Sequence, residues 1–217
     1  MTTRPRDGNG TATDAVPGAA GPPTRAAPPT QVRRLDLQSA GDLAGLAAVF
    51  EDLQYVLRCC EGLVGALDRP GEPDAALVEA LWTGALVGYV RCFSPRAAVL
   101  TDADLEGLEH EDEFRRMHGG LRQLRDHLAS RHVNPREAFT IGAAQANDGT
   151  PTGVAVVSSP RPLVDEATVR MLGRLAYHLV GRVDARMQER QRQVLDDAAA
   201  LSPAELARLP LVHLTAG

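Results

Sequence analysis

The sequence predicts a mainly α-helical protein, an antiparallel four-helix-type bundle with a β-hairpin before the last long helix. Three observations point to it. Four long segments carry apolar residues at helical spacing. Short connections rich in Pro, Gly and Asp join them. Between the third and fourth segments the period breaks into two short apolar runs around a turn.

Residues 1–34 are rich in Pro, Gly, Ala and Thr and hold almost no large apolar side chain. Such a segment cannot bury enough surface to offset its ordering entropy, so a disordered tail is expected there. The bundle is expected over 35–200, with the hairpin at 138–158, and a short helix and tail over 201–217.

The first helix is expected from about Ser39 to Leu67. Leu43, Leu46, Phe50, Leu53, Leu57, Cys60, Val64 and Leu67 alternate at spacings of 3 and 4. Ser39 is the expected N-cap, and Arg69-Pro70-Gly71 ends the helix. The second helix is expected between Pro73 and Pro95, and its mixed apolar surface predicts burial on most sides. Ala80, Gly84, Ala85 and Gly88 give it a small-residue face for close backbone approach. Thr101-Asp102-Ala103-Asp104 has the residues to cap a short turn.

The third helix is expected over Glu111–His132, with Phe114, Met117, Leu121, Leu124 and Leu128 on its buried face. Gly119-Gly120 would soften or kink it, and Asn134-Pro135 would stop it. Asn147-Asp148-Gly149 between two apolar runs predicts the hairpin turn. The last long helix is expected over Asp165–Ala199, buried through Val169, Leu172, Leu175, Leu179, Val183 and Met187, and projecting beyond Gln188. Ser202 and Glu205 form a capping-box pattern for one more short helix.

A chain of 217 residues with 44% hydrophobic content can bury a real core. Its net charge of −5 argues against nucleic-acid binding by bulk charge. All 23 basic residues are arginine. They are unevenly placed: residues 114–136 hold six arginines, His118, His127 and His132, and one acid, Asp126. A basic island on an acidic body is more informative than the total.

Cys59, Cys60 and Cys92 show no metal-ligand spacing and read as buried thiols in a reducing compartment. No membrane-spanning run or signal peptide is expected, which places the chain in the cytoplasm, and no cofactor or metal is expected.

His118, Arg125 and His132 are spaced seven and seven, so on a helix they form a polar line beside Leu121, Leu124 and Leu128. The stretch "RDHLASRH", with "LWTGALVGYVRCF" on the preceding helix, resembles the HEPN superfamily of small helical bundles. More narrowly it resembles AbiV-like proteins of uncharacterised bacterial (actinobacterial-type) families, over residues 75–134 and loosely over 39–190. A gapless match puts Arg131 at the usual histidine position, with His132 one place later.

The resemblance implies a metal-independent ribonuclease of toxin–antitoxin or phage-defence type. Arg125 would bind the scissile phosphate, His132 would serve as general base or acid, and Asp126 would orient them. Arg122, Arg131, His118 and Arg91 would add phosphate contacts, RNA would lie on the 114–136 patch, and a homodimer would join two motifs. The residues also support a second reading. Arg and His near a helix C-terminus satisfy the helix dipole, and the acidic body and shifted histidine then describe a catalytically silent bundle that dimerises or binds a protein partner. On that reading His118 is a core histidine bonded to a carbonyl.

Overall fold

The computed structural model describes residues 31–94, 99–130 and 137–212. It is mainly helical, with a two-stranded antiparallel hairpin before the last long helix. The elements run α1 (Gln38–Leu67), α2 (Ala75–Cys92), a 3-10 turn (Asp102–Leu105), α3 (Glu111–Ala129), β1 (Glu137–Gln145), β2 (Pro151–Pro160), α4 (Glu166–Ala199) and α5 (Pro203–Arg208).

α1 is the centre of the bundle and packs on both α2 and α4. Its buried line is Leu46, Val49, Leu53, Val56, Cys60 and Leu63. The predicted stripe shares Leu46, Leu53 and Cys60 with it. Phe50, Leu57, Val64 and Leu67 are only partly buried against that core. A helix with partners on two sides needs a wide apolar face, so a single heptad seam describes it incompletely. Ser39 is not the N-cap. Leu37 holds that position, and Ser39 lies buried in the first turn, donating to Asp197 Oδ2 of α4 at 2.6 Å. With the Arg190–Asp42 ion pair at 3.3 Å, this bond ties the far end of α4 to the start of α1, so the polar turns beyond Gln188 do not project freely.

α2 begins at Asp74, whose carboxylate accepts from the Ala76 and Leu77 amides, an N-cap that removes two orphan donors. Gly84 and Gly88 are where it meets α1. A Cβ on Gly84 would stand 2.7 Å from the Tyr55 hydroxyl, and one on Gly88 would stand 3.1 Å from Val56 Cγ2. The small-residue face is therefore a close-approach seam. Burial on most sides is not observed: Ala85, Leu86, Tyr89 and Cys92 are in the core, while Leu77 and Val87 are exposed. α2 is also long and apolar enough to cross a membrane by length and composition, contrary to the expectation that no run was, although one face belongs to the core.

The 3-10 turn carries the predicted cap, Thr101 N donating to Asp104 Oδ2 at 2.7 Å. Asp104 is buried and also receives the Arg186 guanidinium from α4. α4 is capped by Asp165, which accepts from Thr168 N at 2.9 Å, and α5 has the Ser202–Glu205 capping box. The tail predicted over 1–34 falls mostly outside the described residues. Residues 32–34 are fixed against the C-terminal segment: Val212 N donates to Val32 O and Arg34 N to Pro210 O, both at 2.9 Å.

The hairpin stands apart. Its register pairs Phe139 with Ser158, Ile141 with Val156 and Ala143 with Val154, and Gly149 takes the positive φ of 88° that the turn needs. Apart from Glu137 and Ala155 its strand residues are exposed, and neither strand packs substantially on a helix.

Candidate functional site

α3 carries the residues singled out by their spacing. It runs unbroken through Gly119 and Gly120, and its first half is held by Phe114 and Leu121 in the core. His118 lies one turn from each, so it shares the buried face and is only 5% exposed. Arg125 is almost in line with His118 along the helix, yet its side chain is about half exposed. The difference is positional: Leu124 and Leu128 are only partly buried, so the second half of α3 outruns the packed core. The helix closes at Ala129, with Ser130 extended, three residues short of the predicted end. His132 and Arg131 lie outside the described residues.

His118 sits at the meeting point of α2, α3 and the 3-10 turn. Its Nδ1 is 2.8 Å from the Tyr89 hydroxyl, and its ring meets Phe93 edge-on at 4.5 Å between centroids. Its Nε2 is 3.3 Å from Asp102 Oδ1, an ion-pair distance, but off line for a hydrogen bond. Burial pushes the imidazole pKa below its ordinary value; the nearby Asp102 carboxylate pulls the other way and is outweighed. Burial likewise drives the Tyr89 phenol well above its usual range. We assign the tautomer in which Tyr89 O–H donates to Nδ1 and the ring proton sits on Nε2, because a bare Nε2 lone pair 3.3 Å from the Asp102 carboxylate would be repelled. The partner of His118 is therefore a side-chain hydroxyl and not the expected carbonyl.

Outside this node lies a groove of about 300 Å³ lined by Asp102, Leu105, Arg115, His118, Gly119 and Arg122. Its cations already have carboxylates. Arg115 pairs with Glu111 at 2.9 Å and Glu106 at 3.3 Å, and Arg122 stands 3.6 Å from Asp102. A phosphate arriving there would compete with three acids. The arrangement can orient His118 and join three elements. With Tyr89 fully buried, the hydroxyl has no route to a substrate.

Of the other candidates among the described residues, Arg125 and Asp126 stay together, and Arg91 is turned toward α1. Arg125 Nε pairs with its own neighbour, Asp126 Oδ1, at 2.9 Å in an exposed position. Arg91 pairs with Asp52 of α1 at 3.3 Å, away from the α3 groove. The structure thus brings together His118 and Arg122, and it adds Tyr89 and Asp102, of which the sequence singled out only Asp102, as part of a capped turn. Twenty-nine positions separate Tyr89 from His118, and no local pattern joins them.

Cys59, Cys60 and Cys92 are free and buried, and burial pushes the Cys60 and Cys92 thiols up to about 12, which leaves them protonated and unreactive. Among the described residues no group of three or more His, Cys, Asp or Glu converges to hold a metal ion. No family model matches the chain, and no curated protein and no solved structure matches it.

Proposed function

We propose that this chain is a HEPN-like helical bundle without turnover of its own, acting by association as a dimerising or partner-binding module of the cytoplasm. The observation that carries the reading is the β1–β2 ribbon. Phe139, Ile141, Val154 and Val156 share one face and are 55%, 64%, 75% and 66% exposed. An isolated two-stranded hairpin is marginal in water, and a contiguous exposed apolar face on a soluble domain marks an interaction site. The carboxylates already paired with Arg115 and Arg122 support the silent part of the reading, and three unbridged buried cysteines support a reducing compartment.

The second reading, a metal-independent endoribonuclease of toxin or phage-defence type, has one observation in its favour. Arg122 and Arg125, one turn apart on α3, both present half-exposed guanidinium groups, as an RNA backbone would require. One experiment separates the two. The full chain is incubated with RNA without divalent metal, beside Arg125→Ala and His132→Ala. No cleavage by any of the three is expected. Cleavage by the wild type that both substitutions abolish would refute the silent module and establish the nuclease.

A further inference from the structure

We infer that the apolar face of the β1–β2 ribbon docks on the same face of a second copy of this chain, about a two-fold axis. This rests on the association reading above and names its partner and its surface.

The occupant follows from the chemistry of the ribbon. From Ala138 to Pro160 the only charged residue is Asp148, at the tip. Native proteins guard exposed strands with charges that repel other chains, and these two strands have none between their ends. A charged partner finds nothing to pair with, and a nucleic acid finds no cation. A second ribbon of the same kind meets no like-charge repulsion except at the tips. An antiparallel alignment about a two-fold axis places the two Asp148 tips at opposite ends.

The geometry suits such a partner. The paired positions 139/158, 141/156 and 143/154 alternate outward on one face as Phe–Ser, Ile–Val and Ala–Val. The opposite face carries Ala138, Thr140, Gly142 and Ala144 against Ser159, Val157, Ala155 and Gly153, which are smaller or more polar. The apolar side is therefore chosen by composition. Among the described residues neither strand packs substantially on a helix and these apolar side chains are exposed, so face-to-face stacking displaces nothing already seated there. Strands of this length run roughly 30 Å, and two of them offer on the order of 500 Å² of accessible surface per copy. Two copies bury about 1,000 Å², the lower bound of a specific interface. That value predicts a dimer that dissociates on dilution.

The test is sedimentation of the full chain over a dilution series, with Ile141→Glu, Val156→Glu and, on the opposite face, Val157→Glu. All three positions are more than half exposed, so the helical circular dichroism should be unchanged and the bundle folded. The wild type is expected at twice the mass of one chain at micromolar concentration. Ile141→Glu and Val156→Glu should raise the dissociation constant at least about 100-fold, and Val157→Glu should leave it within about threefold. A monomeric wild type overturns the inference, as does a dimer indifferent to Ile141→Glu and Val156→Glu, or one that Val157→Glu dissolves equally. None of those outcomes bears on RNA cleavage, so the inference can fail while the silent module stands.

Discussion

Tyr89→Phe is the most direct probe of the node between α2 and α3. The substitution deletes one oxygen and keeps the ring, so packing against Phe93 is unchanged. It removes the 2.8 Å bond to His118 Nδ1 in a position sealed from water. His118 Nε2 has no aligned hydrogen-bond acceptor, so the variant leaves both ring nitrogens without one good bond. A buried acceptor stripped of its partner costs ~1–3 kcal/mol, and we expect about 2 kcal/mol here. For a chain of this size that corresponds to a fall of ~4–8 °C in Tm. The assay is thermal and urea unfolding followed by helical circular dichroism, above the histidine titration range. Adding His118→Leu to Tyr89→Phe removes both polar partners together, and the double variant should be less destabilised than the sum of the singles. A Tyr89→Phe protein within ~0.5 kcal/mol of the wild type would refute the reasoning, because the bond would then contribute nothing.

Other outcomes follow from the same geometry. His118 resists protonation in the folded chain, while in the unfolded chain it titrates near ~6.5. The unfolded state therefore binds more protons between the two values, and stability should be complete above about pH 6.5 and fall as the pH drops toward the lower folded value. His118→Gln should flatten that decline by up to ~1.4 kcal/mol per pH unit, read from urea midpoints across the range. Gly88→Ala should be more destabilising than Gly84→Ala by about 1 kcal/mol in the same unfolding assay. The Gly88 Cβ would press on the stiff, buried Val56, whereas the Gly84 Cβ would press on the outer end of the half-exposed Tyr55, which can swing away. Asp104→Ala removes a buried carboxylate that caps Thr101 and receives Arg186. It should cost ~2–4 kcal/mol by urea titration, less than a fully buried pair because Arg186 is half exposed and rehydrates.

The amino-acid order carries local information, and the local features are the ones it determined. Asp165 and the Ser202–Glu205 pair cap their helices because a side-chain oxygen reaches an amide only a few residues away. The Asn147-Asp148-Gly149 turn and the stripe of α4 are set within a few residues in the same way. Near-neighbour chemistry of this kind leaves a mark in the spacing of residue types.

What only the tertiary structure decided depends on which element lies beside which. Val49, Val56 and Leu63 became the centre of the α1 face because α1 has neighbours on two sides. His118 and Arg125 share a helical line, yet one is sealed and the other is wet, because the packed core ends between them. Ser39 proved to be a tether to Asp197, 158 positions away, and Tyr89 and Asp102 proved to be the companions of His118. Spacing along a chain fixes the direction of a side chain from its helix axis. What that side chain meets is set by the distance to the neighbouring axis, which arises only when the separate apolar faces bury one another.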